Sequence, residues 1–205
     1  MNEHSYSETA NQYDKQVKEY DSYGHNVIFG MSYEYVKPDE KLLDLGIGTG
    51  LASIQFSKAG LKVYGIDSSD EMLEAARSKG FAEELKQYNL SEDRIPYNDN
   101  FFEHVISCGI FHFLGNLSNL FSEVARVTKK HGIFAFTFAP GEDNLDFGKG
   151  MTAWGVPIFK HSSKYIRKLL IENDMFLLKE QRLLIKGADK TNYDMLFSVI
   201  IAEHR

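Results

Sequence analysis

The sequence predicts an α/β fold: a mostly parallel sheet of seven strands with helices on both faces. Three observations predict it. Short apolar runs alternate with helical patterns from Lys41 to Phe138, as in successive βαβ units. The first run, Lys41-Leu42-Leu43-Asp44-Leu45, ends in Gly46-Ile47-Gly48-Thr49-Gly50, and the second ends in an acid, Asp67. The last two runs, Phe176 to Ile185 and Phe197 to Ala202, are joined by the polar residues Gly187 to Asp194 and suit a hairpin.

The elements follow in order. Tyr6 to Val36 is rich in tyrosine (Tyr6, Tyr13, Tyr20, Tyr23, Tyr33, Tyr35), suits one or two helices lying on the main fold, and is closed by Pro38. After the first strand, Leu51 to Ala59 reads as a helix with Gly60 as its stop. Leu61 to Ile66 is the second strand. Ser68 with Glu71 three residues on reads as a capping box, opening a helix that runs to Lys79 and stops at Gly80. A short helix or turn precedes a third strand at Leu85 to Leu90. Ser91 to Asn100 is a polar loop containing Pro96, and His104 to Ser107 is the fourth strand. Cys108 to Phe113 is a turn, Leu117 to Lys129 a helix, and Ile133 to Phe138 the fifth strand. The stretch from Ala139 to Phe159, with four glycines, two prolines and Trp154, reads as a long mobile loop. Lys164 to Ile171 is the last helix.

Composition narrows the partners. The 205 residues are 43% hydrophobic and 25% charged, an ordinary balance for one domain with a filled core. The formal net charge of −6, with both signs interspersed, argues against nucleic acid or an anionic membrane as the main partner. Cys108 is the single cysteine, and the seven histidines form no HxH or HxxxH pair, so neither a disulfide nor a metal site is expected. The polar, acidic N-terminus does not read as a secretory signal, and no run approaches the roughly 20 apolar residues of a membrane span. The expected location is cytoplasmic, with the chain forming one domain over residues 1–205.

The chemistry sits in the glycine motif. Gly46, Gly48 and Gly50 let the backbone turn sharply and let a ligand lie against it. In a parallel sheet the ends of strands one and two share an edge, so Asp67 can accept hydrogen bonds from both hydroxyls of a ribose. A dinucleotide fingerprint would require glycine where Leu51 stands. The observed GxGxG, preceded by Asp44, suits S-adenosylmethionine, which has no pyrophosphate to seat on the helix N-terminus.

Leu42 to Gly50 resembles motif I of the class I S-adenosylmethionine-dependent methyltransferases, and Val63 to Leu73 resembles the motif that follows it. Pro96, Asn98 to Phe102 and Val105 resemble the stretch leading into strand four, and Ala125 to Lys129 the helix end before strand five. The resemblance covers roughly Asp14 to Phe138. It is nearest the UbiE-like small-molecule branch, with a finer likeness, through Tyr13-Asp14, Tyr20 and Glu84 to Leu90, to the methyltransferase-like group of the Williams–Beuren region. It implies a Rossmann-like class I methyltransferase fold whose last strand is antiparallel. Residues 1–38 would be an N-terminal helical lid, and residues 139–160 an acceptor-side loop.

The resemblance also implies roles. Gly46, Gly48 and Gly50 would line the methionine and ribose parts of the cofactor. Asp44 would anchor the loop or the methionine amino group, and Asp67 the ribose hydroxyls. Ser68 and Met72 would flank the adenine, which Asn89 and Leu90 would receive, Asn89 standing where an aspartate is usual. Cys108 would lie beside the methionine moiety, with Tyr13, Tyr20 and Tyr23 closing above.

Methyl transfer from a sulfonium needs alignment and exclusion of water more than a metal; a base is needed only for a protonated nucleophile. His112, after strand four, could be that base, or simply a histidine packed beside Phe111 and Phe113. His161 and Glu142 are weaker candidates. Trp154 and Phe159 could wall an acceptor or pin their loop. Cys108-Gly109-Ile110-Phe111 lacks the Asn/Asp-Pro-Pro-aromatic turn of DNA amino methylases. The expected activity is methylation of a small molecule; the alternative is a non-catalytic domain that binds the cofactor, its product or a partner.

Overall fold

β1 (Lys41–Leu45) carries apolar residues toward both faces, and a strand of that kind can be stable only inside a covered sheet. Its neighbours are β2 (Lys62–Asp67) and β4 (Phe102–Ser107), both parallel to it. In the computed structural model, which describes residues 13–19, 22–92, 94–151, 157–185 and 195–205, β3 (Ala82–Gln87), β5 (Thr128–Phe138), β8 (Met175–Ile185) and β9 (Met195–His204) complete the main sheet. The strand order is β3-β2-β1-β4-β5-β9-β8, with β9 antiparallel to both neighbours. This is the expected seven-stranded, mostly parallel sheet. The order reverses between β1 and β4, which places a ligand crevice beyond their carboxyl ends.

Side chains alternate across the sheet as the pleat requires. On one face, Leu43, Leu45, Val105, Phe134, Phe136, Phe138, Ile200 and Ala202 pack against α4 (Ser118–Val127) and α5 (Ser163–Glu172). On the other, Leu42, Val63, Ile106, Ala135, Val199 and Ile201 meet Ile28 of α1 (Gly24–Ser32), Phe56 of α2 (Ser53–Lys58) and Leu73 of α3 (Asp70–Arg77). The first face is dominated by phenylalanine. Phe111, Phe121, Phe134 and Phe136 are all fully buried, with centroid separations of 4.6–6.1 Å.

Several boundaries differ from the sequence reading. The cap of α3 is Ser69, not Ser68: its hydroxyl accepts from Met72 N–H at 3.2 Å and donates to Glu71. Ser68 is displaced because Asp67 binds the Ser69 N–H and holds the chain extended one residue longer. β3 begins at Ala82 rather than Leu85 and ends before Tyr88. As the edge strand it is only half covered, so its sequence lacks a strong apolar signal. Helix α4 ends at Val127, and β5 starts at once with Thr128, whose hydroxyl binds Val124 O.

The largest correction concerns residues 139–159. They are not a long loop: β6 (Phe147–Met151) and β7 (Pro157–His161) form a two-stranded antiparallel sheet, tied to the end of β5 by a Pro140–His161 bridge. Gly148 and Gly150, read as loop glycines, lie inside β6. Trp154, Tyr6, Tyr20 and the connection from Gly187 to Asp194 lie outside the described residues.

Candidate functional site

The site begins where β1 stops. Gly46, Gly48 and Gly50 have φ of +71°, +54° and +84°, a region open to glycine and strained for other residues. Gly46 and Ile47 N–H both bond to Ile66 O, at 2.8 and 3.0 Å, so the loop is stitched to the end of β2. A side chain at Gly48 would meet nothing within 4 Å; the loop is open on that side.

Asp67, at the carboxyl end of β2, accepts from Gly48 N–H at 2.8 Å through one oxygen and from Ser69 N–H at 3.0 Å through the other. Burial raises its pKa, and the backbone N–H groups of Ser69, Gly48 and Ser68 oppose the rise. The sequence motif assigns Asp67 to a ribose alone; in the structure it also braces the glycine loop.

Asp44 is buried in β1. One oxygen accepts from the Ser53 hydroxyl at the start of α2, and the other, Oδ1, has no partner among the described residues. Burial pushes its pKa up to about 7; the Ser53 hydrogen bond opposes this and the charge of Asp67 adds to it. A buried carboxylate oxygen without a partner is costly, and a cationic hydrogen-bond donor is the group that would relieve it. The buried Ser53, which the sequence did not single out, orients that carboxylate.

Cys108 follows β4. Its thiol lies toward Gly24 of α1, and burial, with the Asp44 charge, pushes its pKa up to about 12. It is therefore a neutral wall and not a nucleophile. The next residue, Gly109, donates to Thr137 Oγ1 at 2.8 Å. Asn89 is exposed two residues beyond β3, with its amide oxygen accepting from Ser91 N–H at 2.9 Å. Leu90 is half buried against the phenylalanine face, Met72 is buried on α3, and Ser68 is exposed.

Residues 13–19 are helical. The Tyr13 phenol is pushed up to about 12, chiefly by burial and then by Cys108 and the carboxyls of Asp14, Asp67 and Asp44. The residue as a whole keeps 37% of its surface exposed, so the phenol lies near these groups without being sealed among them. Tyr23 is exposed.

On the far side, His112 sits in the 3-10 turn Phe111–Phe113, edge-on to Phe197 at 5.5 Å. Its Nδ1 is buried without a partner among the described residues, and burial, then His161, lowers its pKa to about 4. His161 of β7 is fully buried; its Nε2 lies 3.0 Å from Gly115 O and its Nδ1 has no partner among the described residues. Phe159 packs on Gly115 and Phe147, so it pins the β6–β7 hairpin to the turn after β4. Glu142 is exposed. Among the described residues, no group of three or more His, Cys, Asp or Glu could hold a metal ion. No helix among them is long and apolar enough to cross a membrane.

Residues 43–136, from β1 through most of β5, match the family described as methyltransferase domain. The segment holds Asp44, the glycine loop, Asp67, Cys108 and His112. Outside the matched segment lie the Tyr13 segment, the β6–β7 hairpin and β8–β9. A bifunctional biotin biosynthesis protein, BioHC, of Saccharophagus degradans is 30% identical over 133 residues, 62% of this chain and 24% of its own. A malonyl-[acyl-carrier protein] O-methyltransferase of Legionella pneumophila is 28% identical over 155 residues, 73% of this chain and 52% of its own. The chain thus spans about half the length of these relatives or less. A solved S-adenosylmethionine-dependent methyltransferase from Methanosarcina mazei superposes with a TM-score of 0.70 at 19% identity, over 84% of this chain and 96% of its own. The fold is that of the class I methyltransferases.

Proposed function

We propose that the protein binds S-adenosylmethionine and transfers its methyl group to a small-molecule acceptor, as enzymes of the UbiE-like branch do. The observation that carries this reading is the unpartnered Oδ1 of buried Asp44, set beside an open glycine loop braced by Asp67. Asp44 is suited to receive the cofactor's ammonium group, and the free lone pairs of Asp67 its ribose hydroxyls. Met72 and Leu90 offer apolar surface for the adenine, with Ser68 and Asn89 at its edge; Cys108 and Tyr13 bound the methionine end.

The cofactor supplies a methyl group already activated on a sulfonium. The protein's task is then to dock the acceptor in line with it and to keep water out. The β6–β7 hairpin and the turn carrying His112 form the acceptor side in this reading. His112 is neutral at physiological pH, so it is free to accept a hydrogen bond from an acceptor's hydroxyl or amine, and its low pKa makes it a weak base until an acceptor alters its surroundings. A small-molecule acceptor accords with the relatives' names and with the net charge of −6. The test is mass-spectrometric detection of a methyl group on acyl thioester acids, quinols, phenols or amines incubated with protein and S-adenosylmethionine. A methylated product that the Asp44→Ala variant does not form supports the reading. Binding without turnover on any of these classes would favour a non-catalytic domain.

A further inference from the structure

Asp14 belongs to the helical segment 13–19, far in sequence from the glycine loop, yet both its carboxylate oxygens are engaged there. Oδ1 accepts from the Thr49 hydroxyl at 2.5 Å, and Oδ2 from Lys79 Nζ at 2.5 Å. Lys79 Nζ also donates to Thr49 O at 2.8 Å. Three groups thus close a ring joining the N-terminal segment, the middle of the glycine loop and the chain just past α3. Thr49 is buried, while Lys79 and Asp14 keep 25% and 35% of their side chains exposed.

The ring sits beside the glycine loop. Tyr13, the residue before Asp14, is partly exposed, and its phenol feels Cys108, Asp67 and Asp44. Thr49 lies between Gly48 and Gly50, which have left-handed backbones and so hold the loop in one shape. Lys79 follows α3, whose first turn carries Met72. A ligand on the glycine loop would lie beside residues 13–19, and the described bonds that tie Asp14 to that loop are those to Thr49 and Lys79.

We infer that Asp14, Thr49 and Lys79 form a polar latch that holds residues 13–19 against the glycine loop and sets how long the cofactor stays bound. The inference rests on the cofactor reading above for its ligand but not for its geometry. The three are positioning residues: they act through the Tyr13 segment and the loop rather than on reacting atoms. A partly exposed ion pair is modest in worth and screened by salt, which suits a fastening that must open in every catalytic cycle.

The test compares the wild type with Asp14→Asn, Lys79→Met, Lys79→Arg and the double variant Asp14→Asn/Lys79→Met. Lys15→Ala removes an exposed pair with Glu19 on the same segment and serves as control. Amide hydrogen exchange of residues 13–19 is measured without ligand, and dissociation of S-adenosylhomocysteine by stopped-flow displacement. Each single neutral variant should speed both exchange and dissociation about fivefold to tenfold, the worth of one charge-assisted hydrogen bond at a partly exposed site. The double variant should be no worse than either single one, because the ring opens once. Lys79→Arg should stay near the wild type, and raised salt should speed dissociation from the wild type but not from Asp14→Asn. Variants that melt like the wild type yet exchange and dissociate at its rates would overturn the latch, as would a Lys15→Ala effect of equal size. A wild type that binds no S-adenosylhomocysteine would instead overturn the cofactor reading, and the exchange arm would still decide the latch.

Discussion

Asp67→Ala should do two separable things, because the carboxylate has two sets of partners. Without ligand it removes the acceptors of Gly48 N–H and Ser69 N–H, at 2.8 and 3.0 Å. A hydrogen bond to a charged group contributes about 1.5–3 kcal/mol, and here water can reach the half-buried groups and replace part of it. A loss of about 1–3 kcal/mol follows for the ligand-free protein, or roughly 2–10 °C in Tm for a chain of this size. With ligand, the bonds proposed to the ribose hydroxyls are lost as well, weakening S-adenosylhomocysteine binding by about tenfold or more. Differential scanning fluorimetry reads the first effect and isothermal titration the second. Asp67→Asn, which keeps one acceptor oxygen, should fall between. A folded Asp67→Ala protein with unchanged Tm and unchanged affinity would refute both roles; a lowered Tm with unchanged affinity would leave the brace and remove the ribose assignment.

Other outcomes follow from single groups. Asp44 has a native pKa of about 7, above its unfolded value, so the folded state holds the extra proton and the contribution of Asp44 to stability falls as pH rises from about 4 to about 7; Asp44→Asn should abolish that slope in urea titrations. Cofactor binding through an ionised Asp44 should release a proton near pH 6.5, seen as a buffer-dependent heat in calorimetry, and buffer-independent heats would contradict the assignment. The Cys108 thiol, pushed to about 12, should resist iodoacetamide at pH 8 in the native protein and react on unfolding. His112→Ala should leave cofactor affinity nearly unchanged while lowering turnover, and a large loss of cofactor affinity would place the acceptor side elsewhere. At Gly132 an added methyl would lie 1.9 Å from Glu103 O; Gly132→Ala should cost about 2–4 kcal/mol by urea unfolding, since the backbone of β4 cannot yield as a side chain would.

The sheet was legible because its central strands are buried on both sides. β1 carries Leu42 to one face and Leu43 to the other, and such runs have few alternative structures. Gly46, Gly48, Gly50 and Asp67 were legible because a turn of that shape admits little else. What the sequence hid was non-local or weakly patterned. Edge strand β3 has only partial cover, so its start was misplaced. The β6–β7 hairpin reads as a loop in the sequence because Gly148 and Gly150 weaken a strand signal, while the contact that stabilises it, Phe159 against Gly115, joins residues 44 apart. The second task of Asp67, the Ser53 bond to Asp44 and the Asp14–Thr49–Lys79 ring likewise depend on contacts that no short motif records. His112 was visible as a candidate, but its burial beside His161, which lowers its basicity, could be read only from the packing of β7 on the turn after β4.

The central claim is that Asp44, the glycine loop and Asp67 form a site for S-adenosylmethionine. Calorimetric titration of the purified protein with S-adenosylmethionine and with S-adenosylhomocysteine tests it most directly. Both should bind at micromolar concentration, and Asp67→Ala and Asp44→Ala should weaken them. A folded protein that binds neither would contradict it.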